Sequence, residues 1–327
     1  MSNLLSLPVQ PCNKLFVVGC PRSGTTWLKQ MLAEHPQVLA IGPETYLYNV
    51  FYNPFVKTAP LSLQQRLRAA RSLIKVYGLL PILKGISSND LWRGVLKYYD
   101  AYASKQEKVG PHHAVSRADL QKYIRTVRTH YADLKEPDQA KQLIRLVLDG
   151  YFSQHRQPCH QVLVEKTPIN VKFVDVILNS FPEAKIIEIV RDGRDVRASY
   201  QAFATLEAWA RQNTEQVIAN WKTCIEYGDR FRQVDAFKNR IHRVRYETLR
   251  SQTTVELQKI LDFAQIDQRP EVVEPIAQAT DIKRQKHKGA GKLVNKGTVG
   301  AGSQLSTTDL AIINEIAGTT LQRLGYS

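Results

Sequence analysis

Long hydrophobic runs are missing from this chain of 327 residues. None approaches the ~18 consecutive apolar residues that a membrane-spanning helix needs, so no membrane partner is expected. The first twelve residues lack a basic stretch followed by an apolar core, so no secretory leader is expected either. Cysteine is scarce: Cys12, Cys20, Cys159 and Cys224 are scattered without metal-ligand spacing. That pattern points to reduced thiols in a cytoplasmic protein and to no bound metal. Internal repeats, low-complexity blocks, zinc-finger spacing, RNA-binding signatures and a clear helix-turn-helix are also absent, so nucleic acid is not the expected partner.

What is present is an ordinary globular mixture, 43% hydrophobic and 23% charged, in which only the charge balance is unusual. A net charge of +15 predicts attraction to anions, though it does not choose among nucleic acid, membrane surface, anionic cofactor and acidic acceptor. The basic residues are spread along the chain, with one denser run at Lys283, Arg284, Lys286, His287, Lys288, Lys292 and Lys296.

Residues 14–20 (KLFVVGC) read as a buried strand, 25–34 as a helix ending before Pro36, and 38–41 as a second short strand. From about 43 to 156 the pattern turns helical, with helices predicted over 61–80, 88–105, 116–132 and 137–152. Alternation then resumes: strands at 161–165, 185–190 and 241–245, and helices at 171–180, 194–203, 214–231 and 255–263. A closing helix over 309–324 is capped by Ser306 or Thr307 and stopped at Gly325. Residues 289–303, rich in Gly, Lys and small side chains, read as a mobile loop. Alternating strands and helices imply an α/β fold with a central parallel sheet covered on both faces. After a tail over 1–13, a single domain is expected over 14–327. A helical insertion of about 45–158 follows its second strand and is large enough to shape an acceptor pocket.

The most specific string is Gly19-Cys20-Pro21-Arg22-Ser23-Gly24-Thr25-Thr26, placed between the first strand and the first helix. There, exposed N–H groups and the helix dipole favour an anion. Its glycine spacing matches G-x-x-x-x-G-K-[ST], a P-loop, except that Thr25 stands at the lysine position. That lysine serves the β- and γ-phosphates of a triphosphate, so its absence argues against an ordinary ATPase or kinase. Arg22 supplies a cation earlier in the loop.

The longer string P-R-S-G-T-T-W-L resembles the 5′-phosphosulfate loop of sulfotransferases that use 3′-phosphoadenosine 5′-phosphosulfate (PAPS). The stretch V-R-D-G-R-D-V-R-A-S, residues 190–199, resembles that family's 3′-phosphate-binding strand and helix. Arg245-Tyr246-Glu247-Thr248-Leu249 resembles its arginine-tyrosine-glutamate stretch. The resemblance implies donor contacts from Arg22, Ser23, Gly24, Thr25, Thr26 and Trp27, a 3′-phosphate grip by Arg191 and Ser199, and Tyr246 beside the nucleotide. The closest motifs are those of tyrosylprotein and heparan-sulfate sulfotransferases and their bacterial relatives. One departure concerns the segment before the last helix. Many members carry an aromatic followed by basic residues there, whereas this chain has Gly300-Ala301-Gly302-Ser303.

Sulfuryl transfer needs an in-line acceptor, a base for its proton, and positive charge where the leaving phosphate becomes negative. The transferred group bears less charge than a phosphoryl group, which makes a divalent metal less necessary. Glu44 follows the second predicted strand, and the preceding His35-Pro36-Gln37-Val38 matches the subgroup's H-P-x-V, so the resemblance makes Glu44 the general base. Lys166, in Glu165-Lys166-Thr167-Pro168, resembles the lysine that neutralises the leaving group, a task Arg22 shares through its paired N–H donors. His112 and His113, in the helical insertion, are the rival bases. Tyr46 and Tyr48 are candidates to line an acceptor pocket. The expected reaction moves a sulfuryl group from PAPS to a hydroxyl of a small molecule, a saccharide or a tyrosine side chain, and leaves adenosine 3′,5′-bisphosphate (PAP). A nucleotide kinase or NTPase on the same strand-loop-helix, and a non-catalytic binder of anionic polymers, are the alternatives.

Overall fold

The computed structural model describes residues 12–56, 88–104, 109–281 and 297–326. The helix expected over 61–80 and the dense basic run from Lys283 to Lys296 lie outside the described residues. The chain forms two compact units, one containing Ile41–Arg156 and the other Asn13–Ala40 with Gln157–Ser327.

The second unit is built on five parallel strands: β1 Asn13–Gly19, β2 Val38–Ala40, β3 Val162–Lys166, β4 Lys185–Val190 and β5 Ile241–Arg245, in the order β2-β3-β1-β4-β5. β1 is central and buried on both faces from Lys14 onward, which is why its sequence is a continuous apolar run and not an alternating one. The helices of this unit are α1 Thr25–Ala33, α5 Val174–Ser180, α6 Gly193–Phe203, α7 Thr214–Arg232, α8 Tyr246–Ser251, α9 Thr253–Ala264, α10 Pro270–Ala279 and α11 Thr307–Arg323. One sheet face presents Leu15, Val17, Val164, Ile187 and Val244 to Leu28 and Met31 of α1, Leu257 and Ile260 of α9, and Val273 of α10. On the other, Val18 and Ile186 meet Val171, Val174 and Phe231 of α7. Helices therefore cover both faces, as the strand-helix alternation predicts.

Local chemistry fixes the helix ends. Asn213 and Gln216 form a capping box at the start of α7, and the Ser306 hydroxyl accepts from the Asp309 N–H at the start of α11. The helix expected over 171–180 opens as a 3-10 turn, Pro168–Phe173, before α5 begins. The loop expected over 289–303 is corrected where it is described. Ala301–Gln304 is a 3-10 turn, and Asp195 holds it by accepting from the N–H groups of Gly300 (2.9 Å) and Gly302 (2.8 Å).

In the helical unit, α2 Ser88–Ser104, α3 Arg117–His130 and α4 Glu136–His155 accompany a π-helical turn at Tyr48–Tyr52. Val95, Leu120, Ile124, Val127, Leu143, Ile144 and Val147 form the buried stripes of these described helices.

One buried ion cluster joins β4, β5 and α7. Glu188 takes two bonds from Arg243 (Nε 2.8 Å, Nη2 2.9 Å), and Arg243 Nη1 reaches Asp229 Oδ1 at 2.6 Å. Burial raises the Glu188 pKa, and the Arg243 charge opposes that shift. Gly228 lies against this pair: a Cβ there would sit 1.8 Å from Glu188 Oε1. Gly228→Ala is therefore expected to lower unfolding free energy by about 1–3 kcal/mol, the usual range for overpacking, as read by urea denaturation. An unchanged midpoint would show that the carboxylate gives way freely.

Candidate active site

The phosphate loop runs off the central strand into α1. Arg22 (φ 74°) and Gly24 (φ 99°) both adopt left-handed backbone, which curls the chain tightly between strand and helix. Gly24 is the N-cap of α1, no side chain caps that end, and its first turn carries no acidic residue. The first N–H groups of such a helix have no intrahelical acceptor and favour an anion. A Cβ on Gly24 would lie 2.4 Å from the Tyr246 ring, so only glycine fits between the loop and that ring without displacing it.

The structure brings most of the sequence-predicted residues together within the sheet-bearing unit. Arg22 Nε donates to Ser199 Oγ at 3.1 Å, and its guanidinium stacks 3.8 Å above the Phe203 ring. Arg191 extends from the end of β4. It donates to the Arg22 carbonyl (3.2 Å), the Thr298 carbonyl (2.7 Å) and Asp195 Oδ2 (3.4 Å), and lies 4.4 Å from the Tyr246 ring centre. Tyr246 donates to the Gly297 carbonyl at 2.9 Å and meets Trp27 edge-to-face at 6.0 Å. Trp27 Nε1 donates to the Thr280 carbonyl at 2.8 Å, and the Arg250 guanidinium lies 5.3 Å above its indole. Lys166, at the end of β3, donates to Thr26 Oγ1 at 3.2 Å.

Several features suit an anionic ligand. The Ser23 hydroxyl and the Nε of Arg191 are buried with no hydrogen-bond partner among the described residues. A buried donor without a partner costs free energy that an anion's oxygens would offset. Lys29, one turn along α1, has its pKa lowered first by burial and then by the charge of Lys166, with Glu165 opposing. Two ammonium groups in mutual repulsion are relieved by an anion between or beside them. Burial is also the main cause of the raised Tyr246 pKa, which keeps its hydroxyl a neutral donor.

Glu44 belongs to the helical unit, where its carbonyl accepts from the Gly110 N–H at 2.7 Å. His112 and His113 lie in the 3-10 turn Pro111–His113 with ring centres 3.9 Å apart. Tyr46 stacks on Tyr102 at 5.8 Å, whereas Tyr48 is buried in that unit's core. Tyr48 is thus better explained by packing than by an exposed pocket wall.

Sequence reading missed Asp195 and Phe203. Asp195 sits four residues after Arg191, the helical spacing for an ion pair, and that spacing was available in the sequence. Its second task, holding Gly300 and Gly302, depends on a contact more than a hundred residues away. Nothing local marks Phe203 as the platform for Arg22.

Among the described residues no group of His, Cys, Asp and Glu is placed to hold a metal ion, and no helix is long and apolar enough to cross a membrane. None of the four cysteines forms a disulfide.

Gly24→Ala is expected to weaken binding of PAP at least about tenfold, because the methyl group must displace the Tyr246 ring. Calorimetric titration checks this, and unchanged affinity would separate the ring from the ligand site.

No curated protein matches the chain. The mouse sulfotransferase SULT7A1, solved with PAP, is similar in fold at 13% identity and a TM-score of 0.50, over 94% of this chain and 84% of that one. The sulfotransferase domain of the curacin biosynthetic pathway aligns at 18% identity and a TM-score of 0.46, over 97% and 99% of the two chains. The sulfotransferase domain of the Synechococcus PCC 7002 olefin synthase aligns at 20% identity and 0.42, over 94% and 87%. The sequence profile of the Sulfotransferase family matches residues 14–76 and 86–270, most of the chain. This chain belongs to the sulfotransferase family.

Proposed function

We propose that the donor is PAPS, that the acceptor is a hydroxyl group, and that Glu44 is the general base. The observation that carries the donor assignment is the convergence of Arg22, Arg191 and Ser199, linked by contacts of 3.1 and 3.2 Å, at the end of the central strands. A single nucleotide phosphate needs one such cluster; two basic side chains on separate strand ends suit a nucleotide charged at both its 5′ and 3′ positions. The SULT7A1 structure holds PAP, a ligand of that kind.

Each residue then has a distinct task. The loop from Arg22 to Thr26 and the start of α1 hold the 5′ end through backbone and hydroxyl donors. Arg191 and Ser199 hold the 3′-phosphate, with Arg191 oriented by the Thr298 carbonyl and the Tyr246 ring. Trp27, flanked by Tyr246 and Arg250, supplies an aromatic surface for the base. Bound there, the donor supplies an activated sulfuryl group on a phosphate leaving group. Lys166 and Arg22 offset the negative charge that collects on that phosphate. Glu44 accepts the acceptor's hydroxyl proton, a role supported by its place after H-P-x-V and before the helical insertion. We further propose that the sheet-bearing and helical units act as one sulfotransferase domain, with the insertion shaping the acceptor's surroundings. Small alcohols, phenols, sugar hydroxyls and tyrosine side chains all meet the chemical requirement. A cytoplasmic setting fits four cysteines that form no disulfide.

Transfer of label from ³⁵S-PAPS to a panel of hydroxyl acceptors tests the reaction. Glu44→Gln is expected to lower kcat by about 10²–10⁴-fold while PAP affinity stays within about twofold. A near-normal rate in that variant would remove Glu44 from the role. Arg191→Ala is expected to raise the Kd for PAP by about 10–100-fold, because a charged bond to phosphate is lost, with kcat largely restored at saturating donor.

A further inference from the structure

A second basic cavity lies in the sheet-bearing unit and shares no lining with the proposed donor residues. The ends of β4 and β5, the last turn of α7 and the end of α11 border a half-open cleft of about 470 Å³. Its chemistry comes from Arg232, Arg243, Arg245, Arg323, Asp229 and Tyr326. Arg22, Ser23, Lys166, Arg191 and Ser199 are not part of its wall. Although Arg245 adjoins Tyr246 in sequence, the two side chains diverge. Tyr246 meets Trp27 and Arg191, whereas Arg245 donates to the Leu324 carbonyl and lies 4.3 Å from the Tyr326 ring centre.

The charges in this wall do not cancel. Arg243 alone engages both oxygens of the buried Glu188 and one oxygen of Asp229. Arg323 Nη1 takes the other Asp229 oxygen at 2.6 Å. Glu188 is therefore bonded at both oxygens by Arg243, and Asp229 is shared as an ion pair between Arg243 and Arg323, its Oδ2 accepting no hydrogen bond among the described residues. Arg245 is met by a carbonyl and an aromatic ring, both uncharged. Glu247, across Tyr326, is occupied by the Asp192 N–H and the Tyr326 hydroxyl, each at 3.0 Å. Arg232, exposed, makes no hydrogen bond or ion pair among the described residues, and its charge reaches Glu188 at longer range. Arg243 and Arg323 are thus partnered, while Arg232 and Arg245 line the cavity with no carboxylate bonded to either, an arrangement that favours an anion.

We propose that this cavity is a second anion site, which takes a phosphate or sulfate group through Arg232, Arg245 and Arg323. Guanidinium forks pair with tetrahedral oxyanions through parallel N–H bonds, and three of them exceed what a lone carboxylate needs. The volume falls within the ~300–1,000 Å³ typical of small-molecule sites, so an ester of a small organic body fits as well as the free ion. The site goes beyond the sulfuryl-transfer reaction and does not depend on it.

The test is calorimetric titration of the full chain with inorganic sulfate, inorganic phosphate and glucose 6-phosphate. Ionic strength is held constant with chloride, and saturating PAP is present to occupy the donor site. Saturable binding is expected. Arg232→Ala, which removes a side chain bonded to nothing else described, should weaken it at least about tenfold, and adding Arg323→Ala should weaken it further. PAP affinity should stay within about twofold in both variants. Tighter binding of the ester assigns an organic ligand; equal affinities assign the free ion. Absence of saturable binding, or binding that ignores both substitutions, would overturn the proposal. The variants report on this cavity whether or not the nucleotide binds elsewhere.

Discussion

The guanidinium of Arg191 is the joint on which the candidate site depends. It stands at the end of β4 and touches four separate parts of the chain: the phosphate loop through the Arg22 carbonyl, the C-terminal segment through Thr298, α6 through Asp195, and α8 through the Tyr246 ring. Its own carbonyl accepts from the buried indole of Trp221, which fixes the backbone from which the side chain springs. Few residues could do this. The planar fork donates in several directions while its face stacks on an aromatic ring, and a lysine has three donors but no planar face to stack. The loop geometry, the position of Tyr246 and the anchoring of the segment before α11 therefore share one cation. Its spare donor, Nε, is buried without a partner among the described residues, so the same group that organises the site retains capacity for a ligand.

The sheet is tied together beneath this joint by a costlier device. Glu188 and Arg243 are neighbours across the β4–β5 pair, and Asp229 of α7 completes the cluster. Burying such a pair gains little net stability, since desolvation offsets most of the Coulomb attraction. Its consequence is registry: only one placement of the edge strand and one rotation of α7 satisfy all three groups. Within the cluster Glu188 and Asp229 are taken up by Arg243 and Arg323, which leaves Arg232 and Arg245 without a bonded carboxylate and the second cavity basic. Structural and binding electrostatics are thus coupled at this edge of the sheet.

Much of this was legible in the sequence, for identifiable reasons. Strands buried on both faces are short apolar runs, and all five were located within a residue or two of their observed ends. The loop was legible from its glycine spacing between strand and helix, whereas Arg191 was singled out only by the resemblance of residues 190–199 to the family's 3′-phosphate stretch. Two helices escaped. α8 is six residues long, too short to show a period, and α10 contains Pro270 and Pro275, which read as breakers although a proline in the first turn is compatible with a helix. What no local pattern could reveal are the long-range contacts: Phe203 beneath Arg22, Asp195 holding Gly300 and Gly302, and the convergence of four arginines from α7, β5 and α11. Those depend on topology, which brings residues a hundred positions apart to one end of the sheet.

The central claim is that this site recognises a nucleotide by two separate phosphates, one at the loop and one at Arg191 and Ser199. A calorimetric comparison of PAP with ADP, in the absence of magnesium, tests it most directly, because the two ligands carry the same base and differ in where their phosphates lie. The account predicts that PAP binds at least about 100-fold more tightly, reflecting two or more charge-assisted bonds to the 3′-phosphate. Equal affinities, or a preference for ADP that grows with magnesium, would contradict it.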